Sequence, residues 1–211
     1  MADMYTSPEY KKSALLITDM QKDFVLEDAV CEIQGSEAVI PNIVKLLKKF
    51  REAKKPIIYT IRIYKKDGSN VDACRRNRVE QGLEVAAPDS SGAGLVDELK
   101  LGKRRLEFDR LILGEILEIG PNEYIMYKSR WGAFYKTDLE NFLREKGITT
   151  LIFTGCNFPN CPRTSIYEAS ERDFRIVVVE DAISQIYEKG IGELRDIGCE
   201  IMLADKLARK I

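Results

Sequence analysis

The sequence predicts an α/β protein in which helices cover both faces of a parallel sheet. Two observations carry this. Short apolar, β-branched segments alternate with helical periods along the whole 211-residue chain. Several of those segments are apolar at every residue, not every second one, so both their faces must be buried, as in a parallel sheet flanked by crossover helices. No internal repeat, low-complexity tract or linker interrupts the pattern, so residues 1–211 are read as a single domain.

Residues 13–20 (SALLITDM) form the first predicted strand, ending in Asp19. Residues 37–55 place Ile40, Ile43, Val44, Leu46, Leu47 and Phe50 at helical spacing, with lysines on the outer face and at the end. Residues 56–64 (PIIYTIRIY) are a second strand. Residues 65–82 are polar and turn-rich around Asp67 and Gly68, and are read as a loop toward a pocket. Residues 90–100 are read as a short capped helix. Residues 102–120 mix charged and apolar positions without a clear period. Residues 123–134 open as a strand and end as a loop. Residues 137–147 are a helix with Asp138 in its first turn and Gly147 as its C-cap. The strand 148–156, the helix 164–173, the strand 174–184, and a final helix and strand over 187–205 complete the alternation.

The charge balance narrows the function classes. Thirty-three basic residues face 34 acidic ones, a formal net charge of −1, which gives no field to gather nucleic acid or an anionic membrane. No apolar run is long enough to span a bilayer. The N-terminal stretch is charged and carries a proline where a signal peptide needs an apolar segment, and five cysteines are an odd number for a disulfide framework. A cytoplasmic protein is therefore expected. There is no histidine, which excludes Ser-His and Cys-His catalytic pairs and removes the commonest zinc ligand. Acid–base chemistry must run on carboxylates, lysine, tyrosine or cysteine. No metal or cofactor is expected.

In an open parallel sheet, ligands bind beyond the C-terminal ends of the strands. Three polar features fall there: Asp19, Lys128, and the segment TGCNFPNCPR over residues 154–163. Within that segment Pro162 pushes Cys161 away from helical geometry and itself suits a first helical position. Cys161 is therefore predicted as the N-cap of a helix, where the unpaired N–H groups would lower its thiol pKa. Cys156 is predicted to pack in the core. Taken alone, Cys161 fits either a nucleophile or a small buried residue at a tight turn. Asp19 fits either an acceptor for the thiol proton or a turn cap. Lys128 fits either a cation that keeps the carboxylate ionised or a solvated surface lysine. Arg62, Asn70, Arg75, Trp131 and Arg163 are candidate pocket residues, and the arginines would suit a carboxylate-bearing substrate such as a carbamoyl amino acid. Surface ion pairs are the alternative for each.

These residues, in this order, resemble the isochorismatase-like cysteine hydrolase superfamily, which includes nicotinamidases, N-carbamoylsarcosine amidases and ureidoacrylate or biuret hydrolases. The resemblance runs over about residues 13–182 and rests on LLITDMQKDF around Asp19, YKSRWGAF around Lys128, and FTGCNFPNCPRTSIYEASERDF around Cys161. It implies a three-layer α-β-α sandwich with a six-stranded parallel, Rossmann-like sheet, assembled as a dimer or tetramer. It implies a catalytic triad of Asp19, Lys128 and Cys161, an oxyanion hole from the N–H groups of Asn157 and Cys161, and a cis peptide between Cys156 and Asn157. It implies hydrolysis of a C–N bond in a small amide or ureido substrate through an acyl-enzyme, like N-carbamoylsarcosine amidase.

The chain departs from the family at NFPN, where a small residue or a threonine-rich turn is usual, so Asn157 brings a bulkier amide toward the pocket. The missing histidines disfavour the metal-dependent nicotinamidase branch. The stretch 102–120 is longer than usual and is read as an oligomer contact or a lid. Three other readings remain. Vinyl-ether hydrolysis of the isochorismatase type typically does without the cysteine. A catalytically silent oligomeric scaffold would keep the fold alone. A nucleotide-binding module lacks support, since TDMQKDF stands where a glycine-rich phosphate loop would follow the first strand.

Overall fold

The six predicted apolar segments all become strands, and a seventh short strand joins their edge. The structure, a computed structural model, describes residues 3–100, 102 and 105–211. In chain order the elements are β1 (Ser13–Thr18), α1 (Lys22–Val25), α2 (Ile40–Glu52), β2 (Ile57–Ile61), α3 (Ala73–Glu80), α4 (Phe108–Ile112), β3 (Leu117–Gly120), β4 (Glu123–Tyr127), α5 (Leu139–Glu145), β5 (Thr150–Gly155), α6 (Cys161–Ser170), β6 (Arg175–Ile183), α7 (Glu188–Asp196), β7 (Glu200–Met202) and α8 (Ala204–Ala208). The sheet order is β3-β4-β2-β1-β5-β6-β7. All neighbours pair in parallel except β3 with β4, which are antiparallel. The expected count of six is therefore corrected to seven. The extra strand lies inside the mixed charged and apolar stretch 102–120, where half-exposed side chains blur any strand period.

Each central strand feeds two cores, as the uninterrupted apolar runs require. Leu15 and Ile17 of β1 join one cluster with Ile43, Leu46, Leu47 and Phe50 of α2 and Leu207 of α8. Ala14 and Leu16 join the other, with Leu139 and Leu143 of α5, Ile166 of α6 and Leu194 of α7. Burying each such leucine or isoleucine stabilises the fold by roughly 2 kcal/mol. Helix α2 starts with Pro41 in its first turn and ends with Lys49 and Arg51 near its C-terminal carbonyls, an arrangement favoured by backbone geometry and helix dipole.

Other local expectations are refined. The loop 65–82 holds helix α3, whose side chains are mostly polar, so no apolar stripe announces it. Residues 90–100 form turns and one 3-10 turn at Asp97–Leu99, not a capped helix. Of the stretch 102–120, residues 103 and 104 lie outside the described residues. Helix α8 follows the last strand without having been expected.

The chain winds from β1 outward through β2 to β4, then returns to the other side of β1 with β5. The strand order thus reverses at β1 and β5, and the crevice at such a point lies beyond the C-terminal strand ends. The register is level there: Thr18 of β1 pairs with Thr60 of β2 and Gly155 of β5, and Ile61 of β2 with Tyr127 of β4. The residues that follow, Asp19, Arg62, Lys128 and Cys156, consequently emerge side by side.

Candidate active site

Asp19 is the first residue beyond β1 and has a φ of 51°. This left-handed conformation is uncommon for a residue with a side chain, though aspartate tolerates it better than most. Its backbone is pinned on both sides. The N–H donates to Thr60 O at 2.9 Å, and the carbonyl accepts from Gln21 N at 2.8 Å and from Cys156 Sγ at 3.1 Å. Cys156 is thus buried in the core, as predicted, and steadies Asp19 from below. The Asp19 carboxylate is 4% exposed. Its Oδ2 accepts from Lys128 Nζ at 2.8 Å, and among the described residues Oδ1 has no hydrogen-bond partner.

Lys128 follows β4, is fully buried, and donates its backbone N–H to Ile61 O. A buried ammonium is tolerated only when paired, and Asp19 supplies the partner. Two residues of α6 secure the loop that carries it. Ser165 Oγ accepts from Ala133 N at 3.0 Å and donates to Cys161 O at 2.7 Å. Glu168 accepts from Phe134 N at 2.8 Å. The loop after Lys128 and helix α6 are therefore stapled together.

The turn after β5 depends on Gly155. Its φ is 108°, and a Cβ there would stand 2.2 Å from Thr18 O. Only glycine lets the end of β5 come this close to β1. The Cys156–Asn157 peptide is cis. Phe158 N donates to Ser184 O and Asn160 N to Asn157 O, bonds that tie the turn down without using the N–H groups of Asn157 and Cys161. The Asn157 side-chain amide donates to Gln185 Oε1 at 2.7 Å. Phe158 is buried and packs edge-on against Tyr187, with ring centroids 5.2 Å apart.

Cys161 is the first residue of α6 and Asn160 is the cap, so the helix starts one residue earlier than predicted. Cys161 is 7% exposed. Its thiol pKa is not lowered, as expected from the helix terminus, but pushed up to about 11. Burial is the main cause. The Asp19 charge adds to it, while Lys128 and Arg62 only partly offset these effects. The sulfur is therefore a protonated thiol at neutral pH, and it needs a base before it can attack. Asp19 is the carboxylate in place to act as one.

A narrow cleft with about 10 Å³ of accessible space, roughly that of one water molecule, lies over these groups. Asp19, Cys156, Asn157, Asn160 and Cys161 line it together with Arg62 and Arg75, and Phe24 and Ile33 add apolar surface. A larger hollow of about 210 Å³, bordered by Ser90, Leu95, Phe108 and Ile119, shares no residue with it. Of the other candidates, Asn70 braces its own loop by donating to Ile63 O and Tyr127 OH. Trp131 is 39% exposed on the loop after Lys128. Arg163 points to Glu193 and Tyr187. None of these three lines the cleft. Sequence reasoning missed Gln21, which clamps Arg62, and Ser165. Both had a signal: Gln21 stands two residues after Asp19, and Ser165 one helical turn after Cys161. Among the described residues, no group of three or more cysteine, aspartate and glutamate side chains could hold a metal ion.

The isochorismatase-domain family model matches residues 13–114 and 111–205. A "probable inactive nicotinamidase" of Arabidopsis thaliana is 28% identical over 195 residues, covering 90% of this chain and 91% of its own. A ureidoacrylate amidohydrolase of Agrobacterium fabrum is 25% identical over 185 residues, covering 81% and 75%. The crystal structure of an isochorismatase family protein from Desulfovibrio vulgaris superposes with a TM-score of 0.81 at 28% identity, covering 93% of this chain and 96% of that one. N-carbamoylsarcosine amidase from Thermoplasma acidophilum shares the fold, with a TM-score of 0.70 at 21% identity over 92% and 97% of the two chains. With this match across nearly the whole sheet, and with the strand-end residues gathered at one crevice, the chain belongs to the isochorismatase family.

Proposed function

We propose that this protein is a cysteine amidohydrolase that cleaves the C–N bond of a small amide or ureido compound. The observation that carries the reading is the buried Lys128–Asp19 pair at 2.8 Å, with Asp19 and Cys161 lining the same cleft. Asp19 takes the thiol proton as Sγ attacks the substrate carbonyl carbon. The N–H groups of Asn157 and Cys161 receive the oxyanion, and each such donor contributes roughly 3 kcal/mol to the transition state. Asp19 then gives its proton to the departing nitrogen, leaving an acyl group on Cys161. Water attacks that acyl group, Asp19 takes the water's proton, and the acid departs as the thiol is restored. Lys128 pairs with Asp19 and holds its carboxylate in place.

The amidohydrolase named among the relatives supports this reading. The likeness to a "probable inactive nicotinamidase" supports a second one, a silent protein that keeps only the fold. The two separate on a panel of small amides, carbamoyl amino acids, biuret and nicotinamide, with ammonia release followed for the wild type and Cys161→Ala. The hydrolase reading expects release by the wild type alone. Release by neither protein, or equally by both, overturns it.

A further inference from the structure

The cleft over Cys161 has room for about one water molecule. Even the smallest amide is larger, so a wall must move before such a compound reaches the sulfur. Most of the walls are built in. Asp19, Cys156 and Cys161 are buried at strand and helix ends, and Phe24 is 3% exposed. Arg62 is clamped by Gln21, whose Oε1 accepts from Arg62 N at 2.7 Å and whose Nε2 donates to Arg62 O at 2.8 Å. Arg75 donates to the Tyr64 hydroxyl at 3.1 Å.

Ile33 stands on a different footing. It belongs to residues 27–35, a run in which no residue is buried. The run lies between two anchored positions, Val25 and Ser36, and Ser36 Oγ donates to Ser184 Oγ at 3.0 Å. Near each end stands a residue with left-handed backbone, Asp28 at φ 61° and Gly35 at φ 79°, and a Cβ on Gly35 would meet nothing within 4 Å. Positions of this kind absorb a change of chain direction. Two backbone bonds lay the segment on α1, from Cys31 N to Asp23 O at 3.1 Å and from Ile33 N to Phe24 O at 2.9 Å. Its bond to the opposite side is long: Gln185 Nε2 donates to Gln34 O at 3.4 Å. Gln185 Oε1 accepts from the Asn157 amide at 2.7 Å, so one side chain ties this segment to the turn that lines the cleft. A segment with so little burial opens at a small fraction of the global unfolding free energy.

Ile33 also borders a second hollow of about 450 Å³, which it shares with Val25, Glu27, Glu32 and Glu37. The same residue therefore separates a space the size of a water molecule from one that can hold a small organic molecule.

We infer that residues 27–35 are the gate of the cleft, with Ile33 as the side chain that closes it and Gln185 as its latch. Movement of Ile33 toward the larger hollow joins the two spaces and admits a ligand to Cys161. Ile33 then sets the size of what enters, and Gln185 is a positioning residue that holds the gate against the Asn157 turn. The inference goes beyond the hydrolase reading, since a ligand must enter whatever the cleft does to it.

The test asks whether Cys161 is reached by a local opening or by unfolding. The full-length protein carries Cys31→Ser, so that the reagent cannot prop the gate, and is treated with iodoacetamide in urea below its unfolding transition. Peptide mass spectrometry follows Cys161. A gate gives a modification rate that stays flat with urea, whereas access by unfolding rises with the slope of equilibrium unfolding. Ile33→Ala should speed the reaction about tenfold. Gln185→Ala should speed it about fivefold, the scale of one hydrogen bond. Both variants should keep the flat urea profile, which separates an easier gate from a weaker fold. Hydrogen exchange gives a second measurement, and it decides if Cys161 reacts too slowly to follow. The Ile33 amide should exchange independently of urea, and the Cys156 and Phe158 amides only with the slope of unfolding. A Cys161 rate or an Ile33 exchange rate that follows unfolding overturns the gate, and so do unchanged rates in both variants. Ammonia release from the amide panel judges the hydrolase reading separately: a silent panel beside a working gate overturns that reading alone.

Discussion

At the residue scale, Asp19 does two opposing things to Cys161. Its charge raises the thiol pKa, and in the proposed mechanism its carboxylate is the base that removes the proton. The two effects separate in Asp19→Asn. The titration midpoint of Cys161, read from ultraviolet thiolate absorbance, should move down from about 11, because the opposing charge is gone. Turnover should nevertheless fall by about 10²-fold or more, because nothing then carries the proton to the leaving nitrogen. A variant with a more acidic thiol and unchanged turnover would refute the role of Asp19. Lys128→Met tests the other partner. It leaves a buried carboxylate unpaired, and urea titration should show a loss of roughly 3–5 kcal/mol. The types and order of these three residues were legible in the sequence. The direction of the thiol shift was not, because helix position is local and can be read from Pro162, whereas burial is set by everything packed around the sulfur.

At the scale of elements, the site is assembled by contacts between segments far apart in the chain. Gly155→Ala should disrupt it most, since the added methyl meets the Thr18 backbone at 2.2 Å and the left-handed φ penalises any side chain. Loss of both stability and ammonia release is expected, and a normal urea midpoint would count against the close approach. Ser165→Ala removes the acceptor for the buried Ala133 N–H and should cost roughly 1–3 kcal/mol by urea denaturation, with turnover lowered as the lysine loop loosens. The glycine was visible in the TGC motif, but its reason was not. A close approach between β1 and β5 exists only once parallel pairing has set the register. Helix α3 and strand β3 escaped sequence reading for a related cause: short, polar or half-exposed elements carry almost no period, and their partners define them.

At the scale of the whole molecule, the fold buries thiols and phenols in their neutral forms. Cys161 is pushed up to about 11 and Cys199 to about 12, chiefly by burial, and Tyr59 is also raised by burial. Each therefore ionises more readily in the unfolded chain than in the fold. Their contribution is fully present below the ordinary thiol value of 9.0 and is lost as pH rises through the folded values. The urea midpoint should hold steady from neutral pH to about 8.5 and then fall through about pH 11 to 12. Cys199→Ala should flatten part of that fall, and an unchanged profile would show that this thiol does not report on unfolding.

The sequence by itself determined the α/β alternation, the two-faced burial of the central strands, and the chemistry available to a chain without histidine. These follow from the side-chain pattern and from which titratable groups exist, and no coordinates are needed to see them. Only the tertiary structure decided that Asp19, Lys128 and Cys161 meet, that Arg62 rather than Asn70, Trp131 or Arg163 lines their cleft, and that the thiol is held neutral. Those are properties of distance and of water excluded, and both come into being when strands more than a hundred residues apart lie side by side.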